Sequence, residues 1–162
     1  MSAPAAFFAH MGVTIALGLA NLGAAYGTAK SGIGIASMGV LKPDMIMKSI
    51  VPIIMAGILG IYGLIVSVIL LQKSKPSLAN YLALVSHEPT FTMAIGYKYL
   101  AAGLCCGVSS AGAGFAIGVV GDIGVRMNAI EPKLFVGMIL ILIFAEAIGL
   151  FGLIVSIILS AA

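Results

Sequence analysis

Charged residues in this chain are so sparse that four uninterrupted apolar stretches lie between them, and each is long enough to cross a membrane. A helix needs about 20 apolar residues to traverse a hydrocarbon core of about 30 Å. The first stretch runs from about Ala5 to Ala29, ahead of Lys30, and the second from Ser49 to Leu71, between Lys48 and Lys73. The third runs from Tyr99 to Gly121, between Lys98 and Asp122, and the fourth from Leu134 to Ser160, after Lys133. No water inside a bilayer can satisfy backbone N–H and C=O groups, so each stretch is expected to be an α-helix. Pro52 falls in the first turns of the second span, where a missing N–H costs little.

Composition agrees. Charged residues make up 8% of the chain and hydrophobic residues 62%, whereas a soluble domain carries roughly a quarter charged. Too little charge is available to coat a water-facing surface, which excludes a cytosolic domain and a disordered tail. Nucleic-acid binding is excluded as well, because the basic residues stand singly rather than in a phosphate-tracking cluster. The two cysteines, Cys105 and Cys106, are adjacent and offer neither a disulfide framework nor a metal quartet. Met1–Ala9 contains no Lys or Arg, so it lacks the basic region of a cleavable signal, and the first span is expected to be retained.

Four spans put both termini on one side. The connections between spans one and two and between three and four carry Lys30, Lys42, Lys48, Arg126 and Lys133, against Lys73, Lys75 and Lys98 on the other face. The positive-inside rule places the richer face in the cytosol and the termini in the lumen or exterior.

The chain also repeats itself. Gly63-Leu64-Ile65-Val66-Ser67 recurs as Gly152-Leu153-Ile154-Val155-Ser156, a shift of 152 − 63 = 89. The same shift carries Gly23-Ala24 onto Gly112-Ala113, Gly32 onto Gly121, Pro43 onto Pro132, Ala56 onto Ala145 and Gly60 onto Gly149. The expected fold class is therefore an all-α membrane protein, four transmembrane helices arranged as two tandem helical hairpins. The first hairpin would occupy 1–71, a lumenal connecting loop 72–98, and the second hairpin 99–162. Because the shift crosses two spans, the copies enter the membrane in the same direction. Inverted repeats, common in alternating-access carriers, would be antiparallel. Parallel repeats suit a ring of hairpins.

The duplication is unequal at one place. Gly57 maps onto Glu146, so only the second copy keeps an acid. Of the five acids, Asp44, Glu88, Asp122 and Glu131 fall in expected loops or at span ends, and Glu146 alone is deep in a span. A charged carboxylate there costs on the order of 2.5–3.5 kcal/mol, and intramembrane acids mark ion pathways by default. A carboxyl kept neutral in lipid, but ionised on meeting water or a cation, is a proton carrier. The fourth span contains no Lys, Arg or His from Leu134 to Ala162, so the cation would come from another subunit. A dry Na⁺ site would need several further oxygens. The only Gln is Gln72 at a border, and the neighbouring spans offer only Tyr62, Ser109 and Ser110 near this depth. H⁺ is favoured, with Tyr62 as the hydrogen-bond partner.

Glycine concentrates in the odd spans, with Gly23/Gly27, Gly103/Gly107 and Gly114/Gly118 at spacings of four. Small residues four apart let helix backbones approach closely. Spans two and four, rich in Ile, Leu, Val and Met, suit lipid. Thin inner helices and bulky outer ones follow. Cys105 and Cys106 are expected to fill a small-residue face, His10 and His87 have no ligand partners at metal spacing, and Asp122 and Arg126 are expected to form a surface pair at a helix end.

The run Val136-Gly137-Met138-Ile139-Leu140-Ile141-Leu142-Ile143-Phe144-Ala145-Glu146, with Gly152-Leu153-Ile154-Val155, resembles the proteolipid family of eukaryotic V-type ATPases, the subunits of the membrane-sector rotor ring. Leu22 to Gly32, Gly114-Phe115-Ala116-Ile117-Gly118 and Val51 to Gly57 are similar to the same family. The resemblance implies a doubled hairpin in a membrane rotor ring of identical and paralogous copies, non-catalytic in itself. It implies that Glu146 is the essential carboxylate and Tyr62 its partner, that a stator subunit supplies an arginine, and that central-stalk subunits and the lipid bilayer are further partners. It further implies that ATP hydrolysis elsewhere turns the ring, moving H⁺ out of the cytosol into a vacuole or other acidic compartment, with no cofactor or bound metal. The connection from Gln72 to Lys98 is longer than the resemblance implies. Two other classes stand beside this one. A stand-alone proton-coupled carrier would need polar or aromatic groups around a substrate cavity, and a structural tetraspan would use Glu146 only as an interhelical hydrogen bond.

Overall fold

The computed structural model describes residues 3–74 and 92–161, and these are almost wholly helical. Four long helices follow one another: α1 Ala3–Leu41, α2 Val51–Ser74, α3 Met93–Ile130 and α4 Leu134–Ala161. Two short 3-10 turns, Pro43–Met45 and Lys48–Ile50, link α1 to α2. All four helices are long and apolar enough to cross a bilayer. Most of the connection assigned to 72–98, His87 included, lies outside the described residues.

The odd helices are much longer than the spans read from charge. Lys30 and Asp122 do not end them; α1 continues to Leu41 and α3 to Ile130. At about 1.5 Å per residue, the 39 residues of α1 measure about 58 Å, nearly twice a hydrocarbon core. Proline sets the true ends. A residue before proline is driven out of the helical region. Lys42, before Pro43, sits at φ −140° and ψ 82°, and Glu131, before Pro132, at φ −128° and ψ 100°. These are the duplicated prolines, so both repeats break at the same place.

Lysines finish two of the helix ends. The last carbonyls of a helix lack internal partners and carry the negative end of its dipole. Lys42 Nζ donates to Ala129 O at the end of α3, and Lys73 Nζ donates to Ser160 O at the end of α4, 2.6 Å away.

The helices form two layers. α1 and α3 lie side by side and in parallel: Ala5 meets Gly96, Gly12 meets Gly103, Gly23 meets Gly114 and Gly27 meets Gly118. At Gly12, Gly103 and Gly114, a β-carbon would run into the backbone of the opposite helix. That is as close as two helices can pack, and it explains why these positions carry no side chain. α2 packs on α1 and α4 on α3, and α2 and α4 also touch each other. The outer pair exposes large apolar side chains, among them Ile54, Ile61, Phe144, Ile148 and Phe151, as a lipid-facing surface requires. Ser67 Oγ, buried on α2, donates to Val13 O on α1 at 2.9 Å, tying the first hairpin together.

Asp122 and Arg126 do pair, but neither at a helix end nor as a surface pair. Asp122 is buried in the α1–α3 contact; Arg126 Nη2 and Nε lie 2.8 and 2.9 Å from its Oδ1, and Lys30 Nζ of α1 lies 3.4 Å from Oδ2. This three-charge cluster lets both helices carry charged residues without breaking. Removing one partner of a buried pair costs about 3–5 kcal/mol, but here both cations remain about two-fifths exposed. Asp122→Ala is therefore expected to cost about 1–2 kcal/mol. It should lower the thermal unfolding midpoint of the purified protein, and an unchanged midpoint would show that the cluster adds nothing.

Candidate functional site

Glu146 is the thirteenth of the 28 residues of α4 and faces α2. The face is set by the helical period: Leu142, Ala145 and Gly149 are the buried positions around it, packed on Leu59, Ala113 and Ile117. Gly149 brings α4 close, since a β-carbon there would meet Leu59 Cδ2 and approach Ala113.

From α2, Tyr62 reaches into this contact. Its hydroxyl donates a hydrogen bond of 2.8 Å to Glu146 Oε1. The other carboxyl oxygen, Oε2, is buried and has no hydrogen-bond partner among the described residues. Neither Ser109 nor Ser110 turns to the carboxyl. Ser109 Oγ donates to Cys106 O at 3.1 Å, and Ser110 Oγ lies 4.0 Å from Cys106 Sγ. The site is thus a single acid held by a single phenol in an apolar helix contact. No Lys or Arg ion pair reaches Glu146 among the described residues; the ion pairs described involve Asp122.

The remaining sequence candidates lie elsewhere. Gly23, Gly27, Gly103, Gly107, Gly114 and Gly118 line the α1–α3 contact, away from the carboxyl. Cys106 is buried in a cluster with Ala16 and Ala102 that also contains Val66, Leu70 and Tyr99, and Cys105 and Cys106 are both free thiols. His10 Nδ1 is 2.6 Å from Ala6 O on its own helix. Among the described residues, no group of three or more His, Cys, Asp or Glu could hold a metal ion.

The pair has no duplicate: the first repeat lacks the acid and the second lacks the phenol. Glu146 corresponds to Gly57, and Tyr62 corresponds to 62 + 89 = 151, which is Phe151. Gly57 is open, with nothing near its missing β-carbon, and Phe151 is 62% exposed on the lipid-facing side. The duplicate positions therefore hold neither acid nor phenol. The 89-residue shift contains this signal, since it carries Tyr62 onto Phe151 just as it carries Gly57 onto Glu146.

A family model for the C-type subunit of ATP synthase matches residues 11–70 and again residues 100–159. The two matches are 100 − 11 = 89 residues apart, the same register as the internal repeat. The chain is 54% identical over 158 residues to the V-type proton ATPase 16 kDa proteolipid of Ascaris suum, covering 98% of this chain and 92% of that protein. It is 57% identical over 157 residues to the V-type proton ATPase 16 kDa proteolipid of Chrysotila carterae, covering 97% and 92%. To the V-type proton ATPase 16 kDa proteolipid of Ovis aries it is 54% identical over 156 residues, covering 96% and 92%.

Proposed function

The chain belongs to the family of ATP synthase C-type subunits, alongside the 16 kDa proteolipids of V-type proton ATPases, and on that premise we propose that it is a proton-carrying rotor subunit with Glu146 as the carrier. The observation that carries this reading is the Tyr62–Glu146 contact at mid-helix, with one carboxyl oxygen held and the other, buried, without a hydrogen-bond partner among the described residues. A carboxyl at mid-helix in an apolar helix contact, with no cation paired to it among the described residues, crosses the lipid as the neutral acid. Bringing a cation from another subunit against it favours ionisation, and the proton leaves. On losing the cation, the carboxylate takes up a proton from an aqueous path before returning to lipid.

Direction follows from the same reading. ATP hydrolysis in other subunits turns the assembled copies past an arginine of a stator subunit, and H⁺ leaves the cytosol for the lumen of an acidic compartment. The termini face that lumen and the α1–α2 and α3–α4 connections the cytosol, where the stalk docks. The chain itself performs no bond chemistry. Its two units are the hairpins 1–71 and 99–162, joined by 72–98, and only the second moves a proton.

Tyr62 is a positioning residue here. Tyr62→Phe removes the one hydrogen bond that Glu146 receives among the described residues, worth on the order of 1 kcal/mol. It is expected to slow ATP-driven acidification by about five- to tenfold, with the complex assembled and Glu146 still active. An unchanged rate would remove Tyr62 from the mechanism. The reading as a whole is tested in the assembled complex: ATP-driven acidification that survives Glu146→Gln overturns it.

A further inference from the structure

Three polar side chains at one end of the bundle are buried and take no part in the mechanism above. Ser31 and Ser49 are 0% exposed and Asn128 is 1% exposed, and Ser31 Oγ, Ser49 Oγ and Asn128 Oδ1 have no hydrogen-bond partner among the described residues. Burying a hydroxyl or amide without a partner is costly, so such groups call for an explanation. Ser156 shares the condition but stands apart, near the far end of α4.

The usual escape for a helical hydroxyl is a carbonyl one turn back. Thr28 and Ser37 flank Ser31 on α1 and both take it, Thr28 to Ala24 O and Ser37 to Gly34 O, each at 2.9 Å. Ser109 and Ser160 do the same on α3 and α4. Ser31 does not. Its Oγ turns into the space left by Gly121 of α3, where a β-carbon would meet both Ser31 Oγ and Pro52 Cβ. Nor does the fold require polarity at these places. The 89-residue shift carries Ser31 onto Val120, Ser49 onto Met138 and Asn128 onto Gly39, so the duplicate positions are filled without an unpaired oxygen.

The three oxygens share one region. Ser49 precedes Pro52 by three residues, and both are buried on the side that meets Gly121 through Pro52. Asn128 follows Gly121 by seven residues, about two helical turns, and so lies on the same face of α3. Lys30 and Asp122, next in sequence to Ser31 and Gly121, bring an ion pair beside this seam. A cleft of about 500 Å³ opens between the ends of α1 and α3, lined by Ser37, Met38, Arg126 and Ala129, the last adjoining Asn128.

The polar seam stops before the carboxyl. Gly124 lies against Met138. Glu146 is 146 − 138 = 8 residues further along the antiparallel α4, which sets it level with 124 − 8 = 116 on α3. Ser31, level with Gly121, is therefore about 7 Å nearer the connections. At the level of Glu146 the core is closed by Leu59, Ile117 and Leu142, each 0% exposed and packed in one cluster.

We propose that ordered water molecules occupy the core at the Pro43–Pro132 end, bound to Ser31 Oγ, Ser49 Oγ and Asn128 Oδ1, and that the layer of Leu59, Ile117 and Leu142 stops them short of Glu146. A buried water makes about three hydrogen bonds to groups otherwise unpaired, and it needs both polar partners and an entry. The seam supplies the partners and the cleft the entry. Water there also solvates the Lys30–Asp122–Arg126 cluster from inside the bundle. The apolar layer keeps that water from becoming a route through the chain, so Glu146 exchanges its proton only from the side. The water site itself stands whether or not Glu146 carries a proton.

Hydroxyl radicals generated from water by X-rays in the assembled complex, followed by mass spectrometry, test both halves. Pro52 is fully buried yet adjoins the seam, and it is expected to be oxidised; Leu59, equally buried two turns deeper on α2, is expected to stay unmodified. An unmodified Pro52 overturns the water site, and oxidation of Leu59 to the same extent overturns the seal. The variant Ser31→Ala, Ser49→Ala, Asn128→Leu is expected to lose the oxidation of Pro52. Stability gives a second readout if that variant fails to fold. Removing a dry, unpaired hydroxyl relieves a penalty, whereas removing one that binds water strands its partner. Ser31→Ala is thus expected to lower the thermal midpoint by about 2–4 °C, and an unchanged or raised midpoint overturns the proposal.

Discussion

Glu146→Gln is expected to abolish ATP-driven acidification while leaving the protein folded and assembled. Glutamine has the same shape, and its amide oxygen can accept the Tyr62 hydroxyl as Glu146 Oε1 does at 2.8 Å. Its NH₂ takes the place of Oε2, which has no hydrogen-bond partner among the described residues, so no existing bond is lost. Only the exchangeable proton disappears. Dye quenching in sealed vesicles, with ATP hydrolysis followed in the same sample, measures both halves of the coupling. Assembly should be unchanged and acidification absent. Glu146→Asp is a graded control: the acid remains but draws back from Tyr62 by one methylene, so reduced rather than absent pumping is expected.

The second large effect is structural. Gly114→Leu is expected to destroy the folded chain, because a β-carbon at this position would overlap the backbone of Gly23. Overpacking a core ordinarily costs about 1–3 kcal/mol, occasionally more. A backbone obstacle cannot rotate aside, so α1 and α3 would have to separate along their length, losing the close packing that holds membrane helices together. Gly57→Leu adds the same bulk in open space on α2 and is expected to be tolerated. Yield of monodisperse protein and its thermal midpoint, compared between the two variants, checks this. Equal behaviour would mean that the α1–α3 contact is not the spine of the fold.

The four helices, their parallel duplication and the lone deep acid were legible in the sequence because each rests on a coarse signal: apolar length, a constant shift and one charge out of place. Helix ends were not. Lys30 and Asp122 look like boundaries when each is read alone, yet they neutralise each other across α1 and α3. Pro43 and Pro132 were visible as part of the repeat, but their role as the stops of helices reaching far past the charges depends on local backbone geometry. The glycine spacings identified the right helices. Which glycine faces the partner and which faces outward depends on rotation about the helix axis, and only the packed structure fixes that. The counterpart of Tyr62 at Phe151 was within reach of the same arithmetic that found Gly57, because Tyr62 was already expected to partner Glu146.

On the proposed reading, the vacancy at Gly57 and Phe151 would set the gearing of such a machine. A rotor built from doubled hairpins, each with only one working tooth, moves half as many ions per turn as one with every tooth in place. For a fixed torque and a fixed angle, each ion then receives twice the work. Because a charge crossing a membrane demands about 2.3 kcal/mol per 100 mV, doubling the work per ion doubles the opposing force at which the machine stalls. The lost carboxyl thus trades throughput for steepness, as a low gear does on a hill.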